Sequence, residues 1–206
     1  MKFEVSEIFR SIEGETKTAG FPAVFVRLAG CNLNCRYCDS RYALVNGAPM
    51  SIAEIKLAVK KLSPAHHVTL TGGEPLLQKG AAKLIDSLCN LGYNLQIETN
   101  GSLPLKGLSE AARFIVDVKT PSSGAGGSFL MENLAWLKPD DELKFVVCSE
   151  ADYIFAREFI ALNKPAAAVN FSPAAGLGRK KLADWILRDK LNVRLNLQLH
   201  KIIGTR

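Results

Sequence analysis

The sequence predicts an α/β fold, an incomplete (open) βα barrel with about six core parallel strands. Two observations lead to this prediction. Short apolar runs alternate with amphipathic stretches along the chain, a pattern typical of a parallel sheet with crossover helices. The chain has 206 residues, whereas a complete eight-fold barrel takes about 250. We therefore expect an open barrel in a single domain that spans residues 1–206.

The predicted elements follow one another in the order that such a barrel needs. Strands are predicted at 22–30, 67–71, 94–99, 114–119, 143–148, 167–172 and 193–199. Helices are predicted at 51–62, 79–92, near 150–162 and at 179–190. Ser51 and Glu54 have the spacing of a capping box at the start of the first helix, and Gly92 is placed to end the second.

Composition narrows the class of protein. Hydrophobic residues make up 48% of the chain and charged residues 22%, which is ordinary for a globular protein. The net charge is +6, but no basic run carries interleaved aromatics, so we expect no nucleic-acid partner. No apolar run is long enough to cross a bilayer and no export signal is recognisable, so we expect a cytoplasmic protein with no membrane contact.

The unusual segments of the sequence follow predicted strands. A cysteine loop follows 22–30, GGEP follows 67–71, TNG follows 94–99 and KTPSSG follows 114–118. In parallel α/β folds the working residues lie at the carboxyl ends of the strands. These four loops therefore predict one site at a single edge of the sheet.

The most informative segment is the triplet Cys31, Cys35 and Cys38, with the spacing CxxxCxxC. Structural zinc sites usually take four protein ligands, and electron-carrier clusters usually take four cysteines. Three thiolates on a four-iron cluster would leave one iron open to a substrate or cofactor. The alternative is a split zinc site completed by Cys89, Cys148 or a histidine, although CxxxCxxC is not the paired CxxC of zinc sites.

The triplet, with Tyr37 before its last cysteine, resembles the cluster motif of the radical S-adenosylmethionine superfamily. Gly72-Gly73-Glu74-Pro75 resembles the motif with which that superfamily binds the methionine amino group. Paired glycines let a ligand approach the backbone closely. The resemblance implies the open barrel of that superfamily, a [4Fe-4S] cluster, and S-adenosyl-L-methionine as the source of a 5′-deoxyadenosyl radical.

A narrower resemblance spans nearly the whole chain. The opening EIFRSIEGET (7–16) is similar to the opening of the 7-carboxy-7-deazaguanine synthases. Other similar features are Arg27, CDS at 38–40, TGGEP at 71–75, ETNG at 98–101, KTPSSG at 119–124 and LQLHKIIGTR at 197–206.

This family resemblance implies a reaction in queuosine and other deazapurine biosynthesis. Such enzymes convert 6-carboxy-5,6,7,8-tetrahydropterin to 7-carboxy-7-deazaguanine with loss of ammonia. The radical abstracts the hydrogen at C6, the ring contracts, and the hydrogen returns, so S-adenosylmethionine is regenerated. Mg2+ assists by holding the substrate carboxylate. The resemblance also implies a homodimer and a flavodoxin- or ferredoxin-type reductant.

Cofactor roles carry over from the family motifs. Cys31, Cys35 and Cys38 would ligate the cluster that generates the radical. The residues that would contact S-adenosylmethionine are Tyr37, Asp39, Gly73, Glu74 and Ser122. Ser40 would bind magnesium, an ion that takes oxygen ligands and few from the protein.

Substrate roles carry over in the same way, to Ile12, Glu13, Gly14, Glu15, Arg27, Thr71, His200 and Arg206. Glu15 would accept hydrogen bonds from the donor-rich edge of the pterin. Arg27 would bind the substrate carboxylate with its fork, unless it pairs with a local acid. His200 and the carboxylate of Arg206 belong to a tail that is apolar enough to fold back over the site.

Two positions depart from the family pattern. CDS replaces the usual CDT, which keeps a hydroxyl for magnesium at Ser40. SIEGET replaces SIQGEG, so Glu13 puts a carboxylate where the family has an amide and leaves the contact at residue 13 open.

Two other functions fit part of the pattern. A glycyl-radical activating enzyme also carries CxxxCxxC, but the segment Glu13-Gly14-Glu15 and the histidine-lysine tail argue against it. A metal-binding interaction module is the non-enzymatic alternative, and it would not need GGEP, TNG and PSSG at successive strand ends.

Overall fold

A computed structural model describes residues 1–205, so Arg206 lies outside the described residues. The strands form one nine-stranded sheet in the order β3-β1-β2-β4-β5-β6-β7-β8-β9. Their bounds are β1 Lys2–Ile12, β2 Pro22–Leu28, β3 Ala48–Ser51, β4 His67–Gly72, β5 Asn94–Thr99, β6 Arg113–Asp117, β7 Glu142–Val147, β8 Ala168–Pro173 and β9 Arg194–Leu195.

The parallel part of the sheet runs from β2 through β4 to β9. The prediction of about six core parallel strands is confirmed, because β2 and β4 to β8 form a continuous parallel series. The strand predicted at 193–199 is wrong in its extent, since only Arg194 and Leu195 pair with β8. Beyond β9 the chain leaves the sheet, and the Leu199 N–H donates to the Gly14 carbonyl (2.8 Å).

Two strands were not predicted. β1 pairs antiparallel with β2 on one side and with β3 on the other. Its alternation is interrupted by acids and by Arg10, so its sequence is less apolar than that of the core strands. Phe3 and Val5 are nevertheless buried. Phe9 stacks on Phe25 of β2 with ring centroids 5.0 Å apart, which fixes the antiparallel extension of the barrel wall.

Five α-helices accompany the sheet: α1 Ile52–Lys61, α2 Ala81–Cys89, α3 Glu150–Asn163, α4 Arg179–Arg188 and α5 Leu199–Ile203. The predicted capping box is confirmed, because the Glu54 N–H donates to the Ser51 hydroxyl and the Ser51 N–H donates back to the Glu54 carboxylate. α2 is shorter than predicted: it begins after Gly80 and ends before Gly92, both of which have a positive φ. No helix within residues 1–205 is long and apolar enough to cross a membrane.

The period of two along each strand separates the two faces of the sheet. Apolar residues such as Val68, Leu70, Leu95 and Ile97 belong to the hydrophobic core. The intervening positions are polar and face the barrel interior. They are Thr69 and Thr71 on β4, Gln96 and Glu98 on β5, Asp117 on β6, Glu142 and Lys144 on β7, and Asn170 and Ser172 on β8. Of these polar side chains, Thr71, Glu98, Asp117, Lys144 and Ser172 line the cavity described below.

Candidate active site

A cavity of about 540 Å³ lies over the carboxyl ends of the parallel strands. This size suits a small-molecule ligand. Most of the residues predicted for the site line it: Ile12, Glu13, Gly14, Glu15, Arg27, Cys31, Cys35, Tyr37, Cys38, Asp39, Ser40, Thr71, Gly73 and His200. The structure thus brings the N-terminal segment, the cysteine loop and the tail together around one space.

The three cysteines of the triplet border one end of this cavity. All five cysteines of the chain are free thiols. The Arg36 N–H donates to the Ser123 carbonyl (2.8 Å), which ties the cysteine loop to the turn after β6. Burial raises the pKa of the Cys35 thiol, while the charge of Lys119 acts in the opposite direction. The ammonium thus offsets part of the cost of a thiolate at Cys35, although burial is the larger effect.

The two remaining cysteines do not complete a zinc site. Cys89 packs against the hydrophobic core. Cys148 lines the cavity, but burial and then the nearby charge of Asp152 raise its pKa to about 11, which favours the neutral thiol over a metal-binding thiolate. No group of three or more His, Cys, Asp or Glu side chains within residues 1–205 is arranged around a single ion.

Gly73 brings the backbone against the cysteine loop. A Cβ at this position would lie 2.2 Å from the Gly30 carbonyl oxygen and 2.8 Å from Cβ of Cys31. The next residue forms the contact that this approach allows, since the Glu74 N–H donates to the Gly30 carbonyl (2.8 Å). Only glycine fits here, which gives a local reason for the glycine pair.

Glu74 does not line the cavity. Its side chain is fully buried and accepts hydrogen bonds from the Thr99 hydroxyl (2.8 Å) and from the N–H groups of Asn100 (2.7 Å) and Leu76 (3.0 Å). Burial raises the pKa of Glu74, and these hydrogen bonds lower it in part. Glu74 thereby holds the TNG loop, from which Asn100 reaches the Cys31 sulphur (3.8 Å) and Asn32 (3.1 Å).

Ser122 also lies away from the cavity lining. Its hydroxyl pairs with that of Ser149 (3.2 Å), and its N–H donates to Asp152 (2.9 Å). These contacts hold the turn after β6 against the start of α3. Tyr37, by contrast, faces the cavity, and its hydroxyl lies 3.5 Å from that of Thr120. Burial raises the pKa of Tyr37 to about 12, so the phenol is neutral.

Asp39 and Ser40 lie between the cysteine end of the cavity and the opposite end, where Glu13, Gly14, Glu15 and His200 lie. Because the sequence predicts substrate-binding roles for these four residues, we call this opposite end the substrate end. The Ser40 hydroxyl donates to the Asp39 carboxylate (3.2 Å) and accepts from Arg27 Nη1 (3.4 Å). Burial acts to raise the pKa of Asp39, but the hydrogen bond and charge of Lys201 outweigh it and lower the pKa to about 2. The two residues thus place oxygen atoms of the type that ligate magnesium next to the guanidinium of Arg27.

Arg27 pairs with a local acid and still faces the cavity. Its Nε donates to the Glu7 carboxylate (2.9 Å), which also accepts from the Tyr42 hydroxyl (2.7 Å). The pairing with a local acid is therefore observed, and binding of the substrate carboxylate by Arg27 stays a prediction. Glu7 occupies Nε, and the terminal nitrogens point to the side of Ser40.

Glu13 is a buried carboxyl group that receives hydrogen bonds from neutral donors. The Thr69 hydroxyl (2.7 Å) and the Gln96 amide (2.6 Å) donate to Oε2, and the Glu15 N–H donates to Oε1 (3.3 Å). Burial, and then the charge of Glu98, raise its pKa to about 8. The carboxyl is therefore neutral over most of the physiological range, and a neutral acid resembles an amide in carrying both a donor and an acceptor.

Charged residues that the sequence reading did not select form the floor of the cavity. Lys144 Nζ donates to the Glu15 carboxylate (2.7 Å) and lies 3.7 Å from Asp117, which also pairs with Lys119 (3.0 Å). The Thr71 hydroxyl donates to Glu98 (2.8 Å). The available signal was a charged residue inside an otherwise apolar strand, as in FIVDVK and LKFVVC. The stacked rings of Phe9 and Phe25 also line the cavity and were not selected.

The tail closes the substrate end. A Cβ at Gly14 would lie 1.8 Å from Nδ1 of His200, so the imidazole occupies the space that any side chain at residue 14 would need. Lys201 Nζ donates to Asp39 (2.9 Å) and to Gln198 (2.6 Å). The predicted role of the Arg206 carboxylate falls outside the described residues.

The sequence is similar to that of known proteins over nearly its whole length. Residues 25–125 match the model of the radical SAM superfamily. A 7-carboxy-7-deazaguanine synthase of Koribacter versatilis is 45% identical over 98% of this chain and 97% of its own length. Another, of Chlorobaculum tepidum, is 45% identical over 97% of this chain and 93% of its own length. The chain belongs to the 7-carboxy-7-deazaguanine synthase family.

Solved structures agree with the synthase family in fold. QueE from Escherichia coli superposes with a TM-score of 0.79 at 24% identity, covering 97% of this chain and 95% of that chain. SuiB of Streptococcus suis gives a TM-score of 0.58 at 16% identity, covering 86% of this chain and 48% of that chain. The prediction of an incomplete barrel of the radical SAM type is confirmed.

The donor set of this synthase suits the family's iron–sulfur cluster. Three free thiols border the cavity, Gly73 packs directly against the loop that carries them, and the Lys119 ammonium offsets part of the burial that disfavours a thiolate at Cys35. Three cysteine ligands leave one iron of a [4Fe-4S] cluster open to the cavity, where S-adenosylmethionine would bind. The fit for magnesium rests on fewer atoms, the hydroxyl of Ser40 beside the Asp39 carboxylate.

Proposed function

We propose that this synthase converts 6-carboxy-5,6,7,8-tetrahydropterin to 7-carboxy-7-deazaguanine with loss of ammonia, and that it uses S-adenosylmethionine catalytically. The observation that carries the proposal is the two-ended cavity. Cysteines and Gly73 border one end, and Glu13-Gly14-Glu15, Arg27 and His200 border the other. A cofactor that generates a radical and a small polar ring can therefore meet in one cavity.

When bound, the cluster and S-adenosylmethionine supply the 5′-deoxyadenosyl radical. We propose that the ligands of the cluster are Cys31, Cys35 and Cys38 and that S-adenosylmethionine lies against Tyr37, Asp39 and Gly73. Glu74 acts on the same region indirectly, because its buried side chain accepts hydrogen bonds from Thr99 and Asn100 and holds them in place. Ser122 acts through the turn that anchors the cysteine loop at Ser123.

The substrate end has a complementary donor or acceptor for each part of the pterin. Glu15 is an acceptor for the guanidine-like edge, and the terminal nitrogens of Arg27 are donors for the carboxylate. The stacked Phe9 and Phe25 offer an apolar wall for a planar ring. Ile12, Thr71 and His200 border the remaining space.

Magnesium would join the substrate carboxylate to Ser40. Arg27 Nη1 lies 3.4 Å from the Ser40 hydroxyl, and the neighbouring Asp39 carboxylate already pairs with Lys201, so a cation at Ser40 needs a further negative charge to offset the guanidinium. The substrate carboxylate supplies that charge. We therefore propose that magnesium and substrate bind together rather than separately.

Three further assignments complete the proposal: a homodimer, a one-electron reductant of the flavodoxin or ferredoxin type, and a cytoplasmic location. Five free thiols and an iron–sulfur cluster belong in a reducing compartment. The family resemblance supports the reductant and the dimer.

The test is anaerobic turnover of the cluster-loaded protein with 6-carboxy-5,6,7,8-tetrahydropterin, with and without Mg2+. We expect ammonia and 7-carboxy-7-deazaguanine in equal amounts, no net loss of S-adenosylmethionine, and faster turnover with Mg2+. Formation of 5′-deoxyadenosine only after addition of a partner protein would overturn the proposal in favour of a glycyl-radical activase.

A further inference from the structure

Lys144 occupies a central place in the floor of the cavity. It lies on β7, in register with Asp117 of β6 and Asn170 of β8. Its side chain is only 13% exposed. A lysine ammonium so deeply placed needs acidic partners, and carboxylates from three different elements surround it.

The partners of Lys144 differ in distance. The Glu15 carboxylate lies 2.7 Å from Nζ and Asp117 lies 3.7 Å from it. Glu98 on β5 also contributes to the field at Lys144. These acidic neighbours raise the pKa of Lys144 well above its usual value despite burial, so the side chain is a permanent cation.

Glu15 pairs with Lys144, whereas Lys144 has a second acidic neighbour in Asp117. Glu15 follows β1 in an irregular segment that lies beside β7, and its side chain is 8% exposed. Lys144 is itself held from the other side by Asp117, which Lys119 holds in turn. A chain of alternating charges thus runs from Lys119 on the cysteine side to Glu15 on the substrate side.

We propose that Lys144 is a positioning residue for substrate binding: its ammonium, anchored by Asp117, fixes the Glu15 carboxylate in the orientation that accepts hydrogen bonds from the pterin. This inference rests on the proposed function, because it assigns Glu15 to the substrate. Lys144 acts through Glu15 and not on the reacting atoms.

Other charged groups face the same region and set the controls. Arg27 and Asp39 border the cavity near Ser40, and His200 comes from the tail. Their charges remain when Lys144 is replaced. An effect of Lys144→Met that disappears when Glu15 is also replaced therefore reports on the Glu15–Lys144 pair and not on the total charge of the cavity.

The experiment measures binding of 6-carboxypterin, an oxidised form without a hydrogen at C6, to the cluster-loaded protein with S-adenosylmethionine by fluorescence quenching. The variants are Lys144→Met, Lys144→Arg, Glu15→Gln and the double variant Glu15→Gln/Lys144→Met. Because hydrogen bonds to charged groups contribute strongly, we expect Lys144→Met to weaken binding by about tenfold or more. Lys144→Arg should recover most of the loss.

The double variant provides the decisive comparison. We expect Glu15→Gln/Lys144→Met to bind about as weakly as Glu15→Gln alone, since the two residues act as a unit. Cluster absorbance and the affinity for S-adenosylmethionine should not change in Lys144→Met. Losses that multiply in the double variant, or wild-type affinity in Lys144→Met, would overturn the proposal.

The wild-type protein distinguishes failure of the proposed function from failure of the role of Lys144. If the wild type neither binds 6-carboxypterin nor turns over the tetrahydropterin, the proposed function fails. If the wild type does both and Lys144→Met retains affinity, only the role of Lys144 fails. Should Lys144→Met not fold by circular dichroism, Lys144→Gln replaces it, with the same expectation in the single and double variants.

Discussion

The two ends of the cavity are built in different ways. The cysteine end depends on local backbone: Cys31, Cys35 and Cys38 lie in one loop, and Gly73 packs directly against it. The substrate end depends on side chains that are distant in the sequence and meet in the fold, as Glu15 meets Lys144. Short spacing in the sequence therefore reveals the first end, whereas the second exists only when distant strands have come together.

The largest expected effect tests the cysteine end. Cys35→Ala should abolish the absorbance of the reconstituted cluster, because a missing thiolate leaves two ligands for a cluster that needs three. The matched control is Cys89→Ala, which changes a cysteine packed against the core and should keep the absorbance. Equal loss in both variants would show that the ligands have been assigned wrongly.

The next effect tests the closure of the substrate end. Gly14→Ala should displace His200, since the new Cβ would lie 1.8 Å from Nδ1. We expect the KM for the pterin to rise by about tenfold or more, as for the loss of a well-placed binding group, with an unchanged cluster spectrum. Gly178→Ala is the control, because the nearest atom to its Cβ would be 3.9 Å away. An unaltered KM in Gly14→Ala would mean that the tail does not contribute to substrate binding.

A smaller, pH-dependent effect tests the buried acid beneath the substrate end. The pKa of Glu13 is raised from 4.5 to about 8, chiefly by burial. The folded protein therefore keeps a proton that the unfolded chain loses, so stability falls as the pH rises from about 4.5 to 8. Glu13→Gln should remove this contribution and stabilise the protein at pH 9 by on the order of 5 kcal/mol.

Urea unfolding at pH 6 and pH 9 measures this effect. The exposed Glu110→Gln is the control and should keep the pH dependence of the wild type. A pH dependence in Glu13→Gln that equals that of the wild type would mean that Glu13 is ionised in the folded protein.

The comparison also explains which parts of the site the sequence could predict. The triplet, GGEP and Arg27 are recognisable because residue type and local spacing carry their chemistry. Glu74 and Ser122 come from the same motifs, yet the structure places them behind the cavity wall, where they hold loops. A motif identifies a chemical pattern in a loop, but the direction of each side chain depends on backbone contacts that the pattern does not contain.

The charged floor shows the opposite case. Lys144 and Asp117 stand in strands that are otherwise mostly apolar, and nothing in their own segments indicates what they face. Their pairing follows from the register of β6 and β7, which places Asp117 opposite Lys144. The sequence did not predict β1 for a related reason. Its acids and Arg10 interrupt the apolar alternation, and pairing with β2 stabilises the strand.

By itself the sequence determined the parallel barrel, the cysteine loop and the family, because these depend on apolar periodicity and on residues close together in the chain. Only the tertiary structure decided that Glu13 is a buried neutral acid, that Arg27 is shared between Glu7 and the cavity, and that Lys144 holds Glu15. The physical reason is that burial and ion pairing depend on which strands become neighbours. The distances between charged side chains are set when the strands assemble into the sheet.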